Sequence, residues 1–271
     1  MEKITYKLIM PTFSKYLDIT ANFLELLSIN WPESKKHIVI SVVDDQRQEY
    51  SNFKGFEILK NKVGTTLPGC VVNVVKRYKA DYYFSFLGDA FISKKINNKD
   101  VDDLLIELYK NNIEYCRLKP QKVINAQPIG KMLRSINTNE RYSHSFVAFA
   151  ATSEFILREF QNNMTDRDFE VKYLKLALQN KNEIIPNRVV LKRNIFHILP
   201  SIQKGKWDLF AITFLRAKYP QIEFNKKRKS IGIIYELILL IRGIVLPIIS
   251  NQLRIKIKKK LNKTGFFDTE I

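Results

Sequence analysis

The chain has 271 residues, of which 45% are hydrophobic and 27% charged, so it is not a disordered polymer and can bury the core of one large domain. Its two cysteines and three histidines have no metal-ligand spacing, which disfavours a disulfide scaffold and a zinc module and favours a reducing, intracellular compartment. The formal net charge of +18 predicts an anionic partner: nucleic acid, an anionic membrane or a phosphorylated small molecule.

The first half of the chain alternates strand and helix patterns. An apolar strand over residues 6–10 is expected to stop at Pro11, and residues 16–29 carry apolar side chains at helical spacing. The alternation continues with a strand over 37–45, a helix over about 68–78, a strand over 81–92, a helix with Val101, Leu104, Leu105 and Leu108 on one face, and a strand over 113–118. This order predicts an α/β domain with a largely parallel sheet.

Three aspartates follow two of these strands. Asp44 and Asp45 close the strand over 37–45, and Asp89 closes the strand over 81–92. Because ligands bind at the carboxyl ends of parallel strands, we expect these carboxylates to share one crevice, where a divalent cation bridging to substrate phosphates would offset their repulsion. Gly88 would let those phosphates approach the backbone. The alternatives are a plain turn at Gly88 and Asp89, and a capping or solvated pair at Asp44 and Asp45.

The C-terminal part of the chain carries two basic clusters, KKRK at 226–229 and RIKIKKK at 254–260, which enclose an apolar stretch interrupted by Glu236, Arg242, Gly243 and Pro247. A membrane-spanning helix would have to bury the charges of Glu236 and Arg242, whereas an interfacial helix leaves the lysines on anionic headgroups. We therefore predict a domain over 1–225 and a basic amphipathic segment over 226–271 that holds the protein peripherally at the cytoplasmic face of the cell membrane. A core helix or a dimerising helix is the alternative. The lack of an aromatic-rich RNA motif disfavours nucleic acid as a partner.

Eight short motifs carry a resemblance to a known family. The first half contains, in order, PTF (11–13), SVVDD (41–45), LKNKVG (59–64) and ADYYFSFLGDAFI (80–92), and this order resembles the nucleotide-sugar half of a GT-A glycosyltransferase. Four later motifs are similar to bacterial glycosyltransferases of capsule and O-antigen assembly: NIEYCRL (112–118), HSFVAFAA (144–151), TDRDFE (165–170) and QKGKW (203–207). The resemblance covers roughly residues 4–218 and implies a single GT-A-like nucleotide-sugar-binding domain.

The resemblance implies an inverting transfer of a sugar, with galactofuranose as one subclass, from a UDP-sugar donor to a hydroxyl of a lipid-linked saccharide. In the donor site it implies that Pro11 and Thr12 line the nucleoside pocket, that Asp44 or Asp45 contacts the uracil or ribose, and that Gly64 and Gly88 lie beside the donor. Asp89 matches the last acid of the family's Asp-x-Asp motif and becomes the candidate ligand for Mn²⁺ or Mg²⁺. Leu87 replaces the first acid of that motif, which leaves a single carboxylate for the cation, and a basic residue that neutralises the diphosphate is the alternative.

The motif TDRDFE supplies the candidate catalytic acids. The resemblance places an acid beneath the acceptor sugar at Glu170, which is our candidate general base, with Asp168 as the substitute. Thr165 and Asp168 also have the spacing of a helix capping box, and acids in the first turn favour the helix dipole, so a purely structural role is the alternative for Asp166 and Asp168.

Three residues are candidates for the acceptor side. Arg117 at a strand end would hold an acceptor oxygen or a phosphate, or else form a surface ion pair. Lys206 and Trp207 would form a lid or a stacking platform for a sugar, or else begin a helix with a buried tryptophan. Two other functions stay open: a nucleotidyltransferase that uses the same acids on an α-phosphate, and a non-catalytic basic protein that binds RNA or a membrane.

Overall fold

A computed structural model describes residues 4–44, 50, 53–121, 127–140, 142–161, 163–179, 181, 183–203, 205–233 and 236. Its helices are α1 (Leu17–Asn30), α2 (Leu67–Arg77), α3 (Asn98–Lys110), α4 (Ser153–Glu159), α5 (Asp166–Leu178) and α6 (Leu209–Lys218), with short 3₁₀ turns at Ser14–Tyr16 and Pro32–Lys36. Its strands are β1 (Tyr6–Phe13), β2 (Ile38–Val43), β3 (Glu57–Asn61), β4 (Tyr82–Phe86), β5 (Ala90–Ile92), β6 (Tyr115–Arg117), β7 (Pro128–Ile129), β8 (Leu133–Asn137), β9 (Ala148–Ala151), β10 (Ile184–Leu191), β11 (Ile198–Pro200), β12 (Ile202–Gln203) and β13 (Lys206–Trp207).

The described strands build one large sheet in the order β3-β2-β1-β4-β9-β6-β10-β8-β7, with two small pairs, β11-β5 and β12-β13, outside it. Strands β8 and β9 run opposite to the rest of the large sheet, and β3, β2, β1 and β4 form a continuous parallel block. The predicted α/β class with a mostly parallel sheet is therefore confirmed. The predicted basic C-terminal helices lie outside the described residues.

Both faces of the sheet are covered, as expected for a parallel sheet built from β-branched runs. Successive residues of a strand point to opposite faces, so Leu8 and Met10 join one core cluster and Ile9 joins the other. The first cluster receives apolar side chains from α1, α3 and α6, and the second receives them from α2, α4 and α5. In α3 the buried residues are the predicted Val101, Leu104, Leu105 and Leu108.

Strand β1 differs from the expectation that Pro11 would end it. It continues to Phe13, with Pro11 aligned on Ser41 of β2. The register with β4 ends at Ile9, so Pro11 lies where β1 pairs with β2 alone. A proline that lacks an N–H is tolerated at such an edge position, although it would break a ladder that is paired on both sides.

The folded body continues past the predicted boundary at residue 225. The backbone N–H of Trp207 donates to Lys229 O at 2.9 Å, and Ile231 N–H donates back to Trp207 O at 2.8 Å. Glu236 is buried, and its carboxylate accepts a hydrogen bond from Leu209 N–H at the start of α6. None of the helices in the described ranges is long and apolar enough to cross a membrane.

Candidate functional site

A cavity of about 240 Å³ opens at the carboxyl ends of β1 and β4. Its walls come from the ends of those strands, the starts of α1, α2 and α5, and the hairpin β12-β13. It is lined by Pro11, Thr12, Phe13, Tyr16, Ile19, Thr20, Leu67, Leu87, Gly88, Asp89, Asp166, Ile202 and Gly205. The structure thus brings together Pro11, Thr12, Gly88 and Asp89 from the predicted donor site.

Asp89 lies in the turn between β4 and β5, three residues after the strand ends. Ala90 N–H closes this turn on Leu87 O at 2.9 Å, and Ser201 N–H donates to the backbone oxygen of Asp89 at 3.0 Å. The side-chain Oδ1 is buried, and none of the described residues donates a hydrogen bond to it. Burial raises the pKa of Asp89 to about 6, its own backbone N–H opposes the rise, and the charge of Asp166 adds to it. A buried carboxylate oxygen without a partner is costly unless a ligand satisfies it.

Gly88 fits the turn because its neighbour packs closely. A Cβ at this position would lie 2.9 Å from Cε of Met10, on the core side of the turn, so a larger residue would displace that methionine. The glycine therefore lets the turn that carries Asp89 pack closely against Met10 of β1.

Asp166 is the second acid of the cavity, and the sequence prediction missed it as a site residue. It is the first residue of α5, after the N-cap Thr165. The predicted capping box is present: Thr165 Oγ1 accepts from Asp168 N–H at 3.1 Å, and Asp168 Oδ2 accepts from Thr165 N–H at 2.9 Å. Residues two positions apart on a helix point in directions about 200° apart, so Asp166 and Asp168 lie on different sides of α5. That spacing in the sequence was the signal that the two acids have different roles. Asp168 is exposed and caps the helix, whereas Asp166 faces the cavity.

Glu170 lies one helical turn beyond Asp166 on the same side of α5. Its Oε1 accepts hydrogen bonds from Ser145 Oγ and from Phe146 N–H, both at 3.0 Å. The next residue, Val147, accepts a hydrogen bond from Leu87 N–H at 2.9 Å through its backbone oxygen. Glu170 is not among the residues that line the cavity, but it holds the segment that supports the cavity rim.

Asp44 and Gly64 lie outside this cavity. Asp44 follows β2 directly, and its Oδ2 lies 3.7 Å from Lys60 Nζ. Gly64 has a φ of +89° and lines a second hollow of about 300 Å³ with Val63, Thr65, Gly69 and Asn73 beside the first turn of α2. Asp45, the other predicted donor contact, lies outside the described residues.

The acceptor candidates fall into three environments. Arg117 ends β6, donates to Tyr142 O at 2.7 Å and contacts Gln121 Oε1, and burial lowers the pKa of its guanidinium. Lys206 is exposed on β13. Trp207 is completely buried between Phe91 and Phe224, and its indole N–H donates to Asn225 O at 3.0 Å. The stacking role predicted for Trp207 is therefore wrong, because its indole has no exposed face.

The predicted divalent cation has no complete metal site among the described residues. No group of three or more His, Cys, Asp or Glu side chains in the described ranges could hold a metal ion. Asp89 and Asp166 nevertheless face one cavity, and the charge of Asp166 adds to the raised pKa of Asp89. Mg²⁺ is commonly bound by one or two carboxylates together with substrate phosphates, and the unpartnered oxygen of Asp89 fits that arrangement.

Comparison with known proteins gives distant structural likenesses alone. No family model and no curated protein matches the chain. S. aureus TarS 1–349 in complex with UDP-GlcNAc has 13% identity and a TM-score of 0.48 over 75% of this chain and 60% of that chain. A cytidylyltransferase from Leptospira borgpetersenii has 10% identity and a TM-score of 0.45 over 82% of this chain and 98% of that chain. A UDP-glucose pyrophosphorylase complexed with UDP-glucose has 9% identity and a TM-score of 0.43, covering 81% and 100%. These values assign neither a family nor an activity.

Proposed function

We propose that the protein is a GT-A-like glycosyltransferase that moves a sugar from a UDP-sugar to a hydroxyl of a lipid-linked saccharide in bacterial surface polysaccharide synthesis. One observation carries the proposal. The cavity at the carboxyl ends of β1 and β4 contains a buried carboxylate oxygen of Asp89 with no donor among the described residues. Ligands of α/β sheets bind at this edge, and a phosphate-bridging cation would satisfy such an oxygen.

The donor would lie along the cavity from Pro11 to Asp89. Pro11, Thr12 and Tyr16 would contact the nucleoside, and Asp89 would hold a divalent cation at the diphosphate. That cation, when bound, would supply positive charge to the leaving phosphate oxygens. The cavity volume of about 240 Å³ is below the ~300 Å³ at which ligand pockets usually start, so a whole nucleotide sugar would extend past the rim towards the acceptor.

The general base is better assigned to Asp166 than to Glu170. Asp166 lines the cavity, whereas one oxygen of Glu170 is already engaged by Ser145 and Phe146. In an inverting transfer the acceptor oxygen bonds to the anomeric carbon while the bond from that carbon to the phosphate oxygen breaks. The departing UDP keeps the electron pair, and the carboxylate takes the hydroxyl proton. Arg117 and the exposed Lys206 are the proposed contacts of the acceptor.

The test combines donor binding with identification of the product. The full-length protein is screened by thermal shift against UDP-, GDP-, CDP- and dTDP-sugars and against nucleoside triphosphates, each with Mn²⁺ and with a chelator. We expect stabilisation by UDP-sugars, release of free UDP with an acceptor, and loss of both in Asp89→Asn. Asp100→Asn, which removes a carboxylate paired with Arg193 on the surface, is the matched control. Release of pyrophosphate from a triphosphate would instead identify a nucleotidyltransferase.

The proposed membrane contact is tested on the full chain. Changing Lys256, Lys258, Lys259 and Lys260 to glutamine removes four charges, each contributing on the order of 1 kcal/mol near an anionic surface. Flotation with phosphatidylglycerol vesicles should then be lost, and vesicles of phosphatidylcholine should bind neither form. A control with four lysines of the folded body changed to glutamine, Lys76, Lys79, Lys94 and Lys110, should still float. If the C-terminal variant and the control float equally, the membrane contact does not depend on the lysines at 256–260.

A further inference from the structure

The hairpin β12-β13 forms one wall of the cavity, and hydrogen bonds fix its base. Ile202 and Gly205 line the cavity, with Gly205 at a φ of +75° in the turn. Ser201 N–H donates to Asp89 O at 3.0 Å, and Asp208 N–H donates to Ser201 O at 2.9 Å. The hairpin therefore begins beside Asp89, the residue that we place at the donor phosphates.

Arg228 ties the turn of this hairpin to the opposite wall. One guanidinium nitrogen donates to Gly205 O at 2.7 Å, and the other donates to both carboxylate oxygens of Asp18 at 3.0 and 2.9 Å. Asp18 belongs to the first turn of α1, close to Tyr16, whose ring centre lies 6.0 Å from the guanidinium carbon. Asn225 Nδ2 also donates to Asp18 Oδ2 at 2.7 Å.

The orientation of Arg228 distinguishes it from the rest of the basic cluster KKRK. Its side chain is 15% exposed, and its two terminal nitrogens donate to Asp18 and Gly205, whereas Lys226, Lys227 and Lys229 are exposed. A paired and largely buried guanidinium adds little to the attraction of the cluster for an anionic surface. Its two-pronged geometry suits holding two elements at a defined distance.

We propose that Arg228 is a positioning residue of the donor cavity: by clasping Gly205 to Asp18 it holds the hairpin wall against the start of α1, at the spacing that the nucleotide requires. The inference rests on the proposed function, since it assigns the nucleotide to the space between Tyr16 and Gly205. It also means that one residue of the supposed membrane-binding cluster belongs to the donor site. The clasp acts through geometry, because the carboxylate of Asp18 already balances the charge of Arg228.

The experiment uses the full chain with Arg228→Lys, Arg228→Gln, Asp18→Asn and the double variant Arg228→Gln/Asp18→Asn. Arg193→Gln is the matched control, because it removes an arginine paired with Asp100 on the surface, 58% exposed and outside the residues that line the cavity. Amide hydrogen exchange is followed at Ser201 and Trp207 without ligand, with Leu8 in β1 as the reference for global unfolding. UDP affinity and the donor KM and kcat are then measured.

We expect both Arg228 variants to exchange at Ser201 and Trp207 roughly tenfold faster or more, as for loss of a charge-assisted hydrogen bond, while Leu8 changes much less. UDP affinity should weaken and the donor KM should rise by a similar factor, with kcat within about twofold. Arg228→Lys should not restore the exchange rates or the KM, since lysine keeps the charge but lacks the two-pronged guanidinium. The double variant should change both quantities no more than Arg228→Gln does.

Exchange and KM at the level of Arg193→Gln, or rescue by lysine, would overturn the clasp. Failure of the wild-type protein to bind any nucleotide would overturn the proposed function and with it the assignment to the donor site. In that case the exchange at Ser201 and Trp207 still decides separately whether Arg228 holds the hairpin.

Discussion

Among the described residues, the carboxylates of Glu159 and Asp89 both have buried oxygens, and the protein satisfies them differently. Glu159 at the end of α4 accepts from Arg188 at 3.1 Å, from Lys172 at 2.7 Å and from the Tyr173 hydroxyl at 2.9 Å. Burial by itself would raise the pKa of Glu159, but these hydrogen bonds and the charge of Arg188 hold it below the ordinary value. Asp89 has a buried oxygen with no described donor, and burial raises the pKa of that carboxyl to about 6.

The contrast separates a structural carboxylate from a candidate binding group. Around Glu159 the protein supplies every partner, and the same network reaches His144, which stacks on Tyr173 at 3.5 Å and whose pKa burial lowers well below its usual value. A buried group with all its partners stabilises one conformation. A buried acid that faces an open cavity without them is instead a candidate binding group.

The largest effect is expected at Asp166. Asp166→Asn removes the proposed base and keeps the size of the side chain, so transfer should fall by about 10² to 10⁴ while UDP binding persists within a few fold. Single-turnover rates and calorimetric titration with UDP would measure the two effects. Asp168→Asn and Glu170→Gln are the matched controls on the same helix.

Asp168 lies outside the cavity, and glutamine at 170 can still accept from Ser145 and Phe146, so both controls should keep transfer within about fivefold, near what a capping or dipole contribution of ~1 kcal/mol allows. If Glu170→Gln lost about a hundredfold in transfer rate while Asp166→Asn stayed active, Glu170 and not Asp166 would be the general base.

A second substitution tests the satisfied region. Glu159→Ala leaves the guanidinium of Arg188 buried without its carboxylate, so the free energy of unfolding should fall by about 3 kcal/mol or more. Urea unfolding measures the loss. Glu114→Ala, which breaks the exposed pair with Arg158, should cost less than about 1 kcal/mol. Equal losses in the two variants would mean that burial does not distinguish these pairs.

The third and smallest effect concerns the pH dependence of Asp89. Its folded pKa of about 6 lies above the ordinary 3.8, so the protonated form stabilises the fold, and this contribution is lost as the pH rises through about 6. Asp89→Asn should therefore be more stable than the wild type at pH 8, by on the order of 3 kcal/mol at most, and equally stable below about pH 4. Thermal unfolding in chelator without nucleotide measures the difference. A difference that does not change with pH would mean that the folded protein leaves the pKa of Asp89 unshifted.

Local patterns alone were enough to predict much of the fold. The buried face of α3, the helix beginning near Pro68 and the capping box of Thr165 and Asp168 depend on residues within one or two helical turns of each other, and the structure has all three. The motif order also placed Pro11, Thr12, Gly88 and Asp89 beside each other, since all four lie at the carboxyl ends of strands of one parallel block. Their role in binding a donor stays a prediction.

Tertiary packing decided what local patterns left open. Asp166 and Glu170 share a helix face, and the loop at Ser145, 21 residues before Asp166, determines which of them is engaged. Trp207 is a core residue because β13 pairs with Ser230 and Phe224 closes over its ring, contacts that QKGKW does not contain. In the sequence Arg228 is one charge in a basic run, but in the structure it points inwards because it pairs with Asp18, which lies 210 positions earlier. The sequence determines which groups can titrate, cap or pair locally, but partners distant in the chain decide which of them are satisfied, because burial and hydrogen bonding depend on the whole fold.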